Sequence, residues 1–199
     1  MPSAGSRSLW PCAVCCSAAD EWMEGVSRRR LFLALWPTPE LRQQVAERIH
    51  GWLGDQALRA QRPDQWHATL VFIGWVDPEV VSTVDQLAAR ISCAPFVLTF
   101  DGLDYWRKPR IVCLTASVTP PALEQLVGGL ESALDDARIA FDRRPYRPHL
   151  TLARKVSRLD RQGPISALEW PVRDFALVES IGTRAGSRYE PLGCYSCRG

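Results

Sequence analysis

The segment Arg62–Leu70 returns 82 positions later as Arg144–Leu152, and both copies fit the pattern R-P-x-x-x-H-x-T-L. The chain has three His in 199 residues, and two of them, His67 and His149, occupy the same place in this repeat. A repeat of such a long period is typical of two related lobes rather than of a solenoid. The strongest constraint on the fold is therefore an internal duplication.

The same offset aligns the residues that precede each motif, with Pro39 falling on Pro121 and no gap between these matches and the motif. In each copy a short apolar run is followed by Thr, Pro and apolar residues at helical spacing. This pattern predicts a strand, a helix capped by Thr38 or Thr119, a loop, and then a strand that carries H-x-T-L.

The rest of the chain predicts one more helix, with Asp77 as N-cap, and further strands. Those strands are expected at 96–100, 111–114, 172–179 and 188–194. We expect a turn at 74–76 after the first motif strand and a polar loop from Lys155 to Pro164 after the second. The predicted fold class is α+β, with two β-rich lobes related by a pseudo-twofold axis, helices packed outside, and a central cleft between them.

Composition sets limits on the class of protein. With 46% hydrophobic and 23% charged residues, the chain is typical of a globular protein with a sizeable core. We expect one bilobal domain at 28–199 and a disordered tail at 1–27, which has no counterpart in the second copy. The net charge of +2 disfavours a protein that wraps bulk nucleic acid, although a small phosphorylated end remains compatible.

No stretch of the sequence reaches the roughly 20 apolar residues that span a bilayer, and the apolar segment near the N-terminus makes a poor secretory signal. We therefore expect a cytoplasmic monomer with reduced thiols and no membrane partner.

The repeated motif has a chemical meaning on a strand. Side chains alternate between the two faces of a strand, so His67 and Thr69 project together, as do His149 and Thr151. If the two copies meet about a pseudo-twofold axis, two His-Thr pairs face each other. One neutral imidazole can then accept a proton from water while the other, protonated, donates to a leaving oxygen, and the Thr hydroxyls can bind phosphate oxygens.

A structural explanation competes with this interpretation, because each His could be a half-buried strand residue that is satisfied by a neighbour. The repetition of both His residues, each with Thr two positions later, favours the catalytic interpretation. His50 has no partner at the offset position, Ser132, and is expected on the surface.

The two motifs His67-Ala68-Thr69-Leu70 and His149-Leu150-Thr151-Leu152 resemble the signature of the 2H phosphoesterase superfamily. With the early run 31–35 and the closing segment 188–190, the chain is similar to the RNA 2′,3′-cyclic phosphodiesterases, also called 2′-5′ RNA ligases. The resemblance covers about residues 29 to 193. It implies hydrolysis of RNA 2′,3′-cyclic phosphate ends, or of cyclic nucleotides, to 2′-phosphates, without a metal or other cofactor.

The resemblance also assigns roles, with His67 as proton donor, His149 as proton acceptor, and Thr69 and Thr151 as phosphate ligands. The symmetry of the sequence does not decide which His is the acid. Arg154 is a further candidate phosphate ligand, on the condition that its strand stays regular through Ala153.

Two alternatives remain open from the sequence. The two C-x-x-C units at the chain ends, 12–15 and 194–197, would supply four thiolates to a structural zinc ion. Alternatively, the chain is a non-catalytic RNA-end or nucleotide-binding module of the same fold, in which aromatic residues stack on a terminal base. The aromatic candidates are Trp36, Trp66, Trp75, Trp106 and Tyr146.

Overall fold

The computed structural model describes residues 27–54, 60–184 and 186–198. The predicted tail at 1–27 lies outside this part, except for its last residue. The strands are β1 Arg29–Leu35, β2 Ala68–Val76, β3 Phe96–Trp106, β4 Ile111–Thr115, β5 His149–Arg154, β6 Gly163–Val172, β7 Asp174–Thr183 and β8 Gly186–Ser196. The helices are α1 Pro39–Leu53, α2 Pro78–Arg90 and α3 Pro121–Asp136, and a 3₁₀ turn spans Pro63–Gln65.

The strands form two antiparallel sheets of four, in the orders β2-β1-β7-β8 and β5-β4-β3-β6. This confirms the α+β class and the two β-rich lobes. The last two strands return to the first sheet, so the first lobe is built from two separate stretches of chain. The two motif strands, β2 and β5, are each an edge strand, and the two edges contact each other.

The starts of the helices follow the predicted caps, with one exception. Thr38 caps α1 by accepting from the backbone N–H of Leu41 at 3.3 Å, and Asp77 occupies the N-cap of α2. The prediction of Thr119 for α3 was wrong by one residue. Pro120 is the N-cap there, because its carbonyl accepts from the N–H groups of Leu123 and Glu124.

Two strand predictions were also wrong. The predicted turn at 74–76 belongs to β2, which passes through Gly74 at a φ of 87° and pairs as far as Val76 with Arg29. The sequence also predicted no strand between Pro164 and 172, where the structure has β6. Its prolines, Pro164 and Pro171, hide the strand in the sequence, but an edge strand that pairs only with β3 tolerates residues that lack an N–H.

The duplication does contain a gap. Ala34 on β1 pairs with Thr69, and Cys113 on β4 pairs with Thr151. Ala34 and Cys113 are 79 positions apart, whereas Thr69 and Thr151 are 82 apart. The ungapped alignment was therefore wrong for the first strand of each copy. The link before α3, at 116–120, is two residues longer than the link before α1, at 36–38, and one further residue at the end of β4 makes up the rest.

One hydrophobic core serves both lobes. It contains buried residues from both sheets and all three helices, among them Trp66, Leu70, Leu150 and Leu152. A smaller cluster lies on the other face of the first sheet and is formed by Phe32, Ala34, Ala176 and Val178. None of the described helices is long and apolar enough to cross a membrane.

The cysteines differ from the expectation of reduced thiols. Cys93, between α2 and β3, forms a disulfide with Cys197 just beyond β8, and this bond takes one thiolate from the zinc alternative. The other unit of that alternative, 12–15, lies outside the described residues. Burial raises the pKa of the Cys113 thiol to about 12, which makes it a poor nucleophile.

Loss of the disulfide should destabilise the fold, because it closes a loop with a sequence separation of 104 residues. Cys197→Ser should lower the free energy of unfolding by up to about 4 kcal/mol, measured by urea unfolding without reductant. Cys194→Ser, at an exposed position, is the control. Equal stability of the two variants, or a non-reducing peptide map without the 93–197 link, would contradict the pairing.

Candidate active site

The site lies where the two edge strands meet, and two crossing segments hold them together. The backbone N–H of Gln61, ahead of β2, donates to the carbonyl of Leu152 on β5 at 2.7 Å. In the other direction, the N–H of Asp142, ahead of β5, donates to the carbonyl of Phe72 on β2 at 2.8 Å. Each lobe thus pairs with the motif strand of the other.

Both imidazoles are anchored in the same way. His67 Nδ1 donates to the carbonyl of Gln65 at 2.8 Å, and His149 Nδ1 donates to the carbonyl of Arg147 at 2.8 Å. A carbonyl can only accept, so Nδ1 carries a proton in each ring and Nε2 is the atom that exchanges one. No described residue bonds either Nε2. If each His were only a structural residue satisfied by a neighbour, that role would account for Nδ1 of each ring but not for Nε2.

Aromatic side chains enclose the first ring. His67 stacks nearly parallel to Trp36, with centroids 5.7 Å apart, and also contacts Phe32 at 5.0 Å and Tyr189 at 4.9 Å. His67 as a whole is only 9% exposed. Burial, with smaller effects of the Arg154 and His149 charges, lowers its pKa from 6.5 to about 4.

The second ring is more open. His149 is half-buried and contacts Trp106, with ring centroids 4.5 Å apart. Burial lowers the pKa of His149, and the charges of Arg154 and Arg144 lower it further. The motif strands contact each other, and Gln61, ahead of β2, reaches Arg154 on β5, so the fold brings both motifs and Arg154 together; the Arg154 charge accordingly lowers the pKa of both rings.

The two motif threonines occupy equivalent positions on β2 and β5. Thr151 is buried and Thr69 is partly buried. Neither hydroxyl is hydrogen-bonded to another described side chain or backbone group, so both remain available to a ligand. Thr69 pairs with Ala34 on β1, and Thr151 pairs with Cys113 on β4. The two threonines therefore have the same place in their lobes.

The sequence analysis expected a regular strand to place Arg154 beside His149 and Thr151, and that reasoning was wrong. Alternation along a regular strand would put Arg154 on the face opposite His149 and Thr151. Instead, β5 contains a bulge, because Cys113 pairs with Thr151 while Val112 pairs with Ala153. The extra residue shifts the alternation by one position, so that Ala153 joins the core and Arg154 reaches the histidines.

The bulge is itself duplicated. On β2, Ala34 pairs with Thr69 and Leu33 with Val71, which leaves Leu70 as the extra residue. Leu152 is the extra residue on β5, 82 positions later. The residue that each bulge turns toward the site differs, with Phe72 in the first lobe and Arg154 in the second. Arg154 is therefore a cation near the histidines that has no counterpart in the first lobe, where Phe72 takes the equivalent position.

Gln61 holds this cation in place and was not identified from the sequence. In the amide orientation that satisfies its neighbours, its nitrogen donates to the carbonyl of Thr151 at 3.0 Å and its oxygen accepts from Arg154 Nε at 3.2 Å. Gln61 lies immediately before the repeated motif, and no spacing or periodicity marks it. Phe32 and Tyr189 lie in the runs 31–35 and 188–190 that carry the resemblance, but the sequence analysis did not identify them as neighbours of His67.

The predicted aromatic candidates divide into two groups. Trp36 and Trp106 contact the histidines, whereas Trp66 belongs to the core, Tyr146 packs partly buried against it, and Trp75 is exposed and makes no ring contact with either histidine. Within the described ranges no three or more His, Cys, Asp or Glu cluster as metal ligands. A cavity of about 340 Å³ between α1 and β6 contains neither histidine.

The fold is a two-lobed α+β architecture in which two edge strands that carry the same H-x-T-L motif contact each other. The chain belongs to the 2′-5′ RNA ligase superfamily, whose family model matches residues 37–184.

Relatives agree with this assignment. The chain is 32% identical over 166 residues to the RNA 2′,3′-cyclic phosphodiesterase of Escherichia coli, covering 82% of this chain and 94% of that protein. It is 32% identical over 186 residues to the enzyme of the same name from Thermus thermophilus, covering 85% and 91%. The crystal structure of E. coli LigT in apo form superposes with a TM-score of 0.77 at 31% identity, covering 87% and 99%. Its complex with 3′-AMP gives 0.77 at 30%, covering 86% and 99%.

The buried His67 should make the fold sensitive to acid. Its folded-state pKa of about 4 lies below the ordinary 6.5, so the unfolded chain binds the proton more readily between these values. The free energy of unfolding should therefore show no loss from His67 above pH 6.5, and it should decline as the pH falls toward 4. This residue alone should cost about 2 kcal/mol at pH 5.

The measurement is urea unfolding at pH 7.5 and pH 5 for wild type and His67→Gln. The variant should lose less stability on acidification than wild type, and His50→Gln, on the exposed side of α1, should behave like wild type. The same loss in all three proteins would show that His67 is not buried as described.

Proposed function

We propose that this chain hydrolyses the 2′,3′-cyclic phosphate ends of RNA to 2′-phosphates, using His67 and His149 as general acid and base. The observation that carries the proposal is the pair of rings, each held through Nδ1 with Nε2 unoccupied, in one site with Arg154. The names of the relatives and the 3′-AMP complex of E. coli LigT support the same substrate class.

The reaction needs one proton removed and one supplied. Neutral His149 takes a proton from water through Nε2 as the water oxygen bonds to phosphorus. The bond from phosphorus to O3′ breaks, and protonated His67 donates its Nε2 proton to that oxygen. The product carries a 2′-phosphate and a free 3′-hydroxyl, and the protons on the two rings exchange with solvent before the next turnover.

The low pKa of His67 must be reconciled with the role of acid. In the unliganded site both rings are mainly neutral near pH 7, because burial and Arg154 disfavour the imidazolium. A cyclic phosphate adds a negative charge beside the rings. An opposite charge raises the pKa of an imidazole, most strongly where little water screens it. The substrate therefore promotes protonation of the enclosed His67.

The remaining groups bind the phosphate. Thr69 and Thr151 offer hydroxyls that no described residue uses, and the Arg154 guanidinium, fixed by Gln61, can donate to the non-bridging oxygens. These oxygens gain charge in the transition state, where fixed donors act most strongly. The cytoplasmic location stays a prediction. The monomeric state also stays a prediction.

The second candidate is a non-catalytic RNA-end or nucleotide-binding module. It is supported by Trp36 and Trp106, which line the site and present surfaces for stacking. Incubation with 2′,3′-cyclic UMP in EDTA separates the two functions. Turnover supports the phosphodiesterase, while binding without turnover supports the module. Loss of turnover on chelation would contradict a mechanism that relies on the two histidines alone.

Replacing either histidine should abolish most of the activity. His67→Ala and His149→Ala should each lower kcat on 2′,3′-cyclic UMP by about 10²- to 10⁴-fold, because each removes one proton transfer. His50→Ala should retain wild-type activity, and circular dichroism should show all three variants folded.

An aryl ester separates the two roles. With bis(4-nitrophenyl) phosphate the leaving group needs no proton, so His67→Ala should lose much less activity than His149→Ala. The reverse order would exchange the acid and the base.

Arg154 should influence both rate and pH dependence. Arg154→Gln should lower kcat by about 10²-fold, because it removes a donor to the transition state. It should also move the acid limb of the pH–rate profile to higher pH, since the Arg154 cation lowers the pKa of both histidines.

Arg154→Lys retains the charge and should keep the limb close to its wild-type position. Arg90→Gln, at the exposed end of α2, is the control for loss of a cation. An unshifted limb in Arg154→Gln would place Arg154 outside the site.

A further inference from the structure

The chain contains only two lysines, Lys108 and Lys155, and the fold places them at the same corner. Lys108 lies in the turn between β3 and β4, and Lys155 follows β5. Two hydrogen bonds join these segments, from the N–H of Val156 to the carbonyl of Arg110 at 3.0 Å and from Arg110 Nε to the carbonyl of Val156 at 3.3 Å. We call Arg107, Lys108, Arg110 and Lys155 the cationic rim.

The cations of the rim are exposed and have no acidic partner among the described residues. Elsewhere, several exposed arginines pair with a nearby carboxylate, as Arg62 does with Asp64 and Arg144 with Asp142. The charge of the rim is therefore not neutralised within the described part of the molecule. Unpaired cations on neighbouring turns form a surface that attracts an anion longer than one phosphate.

The backbone of the rim also favours a functional interpretation. Arg110 and Lys155 have φ values of 55° and 58°, in the left-handed region that glycine adopts most easily. The third described non-glycine residue there, Arg138, follows α3, where this conformation is usual. At two positions where glycine would be least strained the chain carries cations, and backbone strain of this kind concentrates at functional sites.

The rim is continuous with the active site. Trp106, whose ring contacts His149, immediately precedes Arg107 along the chain. Its Nε1 donates to Asp104 Oδ2 at 2.9 Å, which fixes the indole. On the neighbouring strand, Lys155 directly follows Arg154, which pairs in register with Ile111. A polymeric ligand whose end is bound at the histidines therefore passes the rim as it leaves the second lobe.

We propose that the rim binds the phosphodiester backbone of an RNA strand on the 5′ side of its cyclic end. The inference rests on the proposed function, which already takes RNA ends as substrate, and adds which residues contact the strand beyond its cyclic phosphate. A mononucleotide has no further phosphates and gains nothing from the rim. An oligonucleotide places its preceding phosphates against unpaired Lys and Arg, as proteins that bind single strands do.

The test compares Lys108→Gln/Lys155→Gln with Arg90→Gln/Arg173→Gln, a control that removes the same charge from exposed positions outside the rim. Arg110 is left intact because it supports the chain at Val156. The substrates are 2′,3′-cyclic UMP and a five-nucleotide RNA that ends in a cyclic phosphate. The rim variant should lose about tenfold in kcat/KM on the RNA, mainly through KM, and less than twofold on cyclic UMP.

Salt provides a second readout. Each phosphate contact on a single strand contributes about 0.7 to the slope of log affinity against log salt. Removal of two cations should therefore make the slope for the RNA shallower by about 1.4, and the control double variant should keep the wild-type slope.

Acetylation of the wild-type protein tests the rim without any variant. Because the chain has two lysines, peptide mapping after brief treatment with an acetylating reagent reports on these two side chains directly. A non-hydrolysable RNA with a 2′-phosphate end should protect both lysines, whereas 2′-UMP should protect neither. Equal reactivity with and without the RNA would overturn the proposal.

The outcomes separate this inference from the proposed function. Wild type that is inert on both substrates refutes the phosphodiesterase. Wild type that hydrolyses cyclic UMP but shows no preference for the RNA, or a control variant as impaired as the rim variant, refutes the rim and leaves the phosphodiesterase intact.

Discussion

The site depends on two edge strands that are held side by side by segments crossing between the lobes. An edge strand presents unpaired N–H and C=O groups, which must find partners when another lobe packs against them. Gln61 and Asp142 provide them by donating to the carbonyls of Leu152 and Phe72. These bonds fix the position of one motif strand relative to the other. The separation of the two imidazoles follows from that position rather than from either strand alone.

The duplication builds a symmetric frame, and the surroundings of each copy make the two histidines different. Both rings are anchored through Nδ1 to the carbonyl two residues earlier. Aromatic side chains enclose His67, while His149 is more open and lies near a second arginine, Arg144. Environments that push the pKa values of two titratable groups apart are what an acid and a base require. The same environments make the buried ring costly to protonate without a bound anion.

Much of the site could be predicted because its signals are local. The repeated motif identified His67 and His149, and the two-residue alternation of a strand placed Thr69 and Thr151 beside them. The helices followed from capping residues and apolar spacing. The position of Arg154 was misjudged because a bulge depends on the pairing with β4, which the sequence of β5 does not encode by itself. The β6 strand was missed because its prolines are tolerated only at a sheet edge.

The sequence by itself determined that the chain is duplicated and that each copy presents an imidazole and a hydroxyl on one strand face. These properties follow from side-chain type and short-range periodicity. The tertiary structure decided that the two strands meet at their edges, that Gln61 reaches across to Arg154, and that the two lysines lie on neighbouring segments at the end of β5. Contacts between residues distant in the sequence depend on strand register and on the crossing of segments. No local pattern specifies these, because many registers satisfy the same alternation of apolar and polar residues.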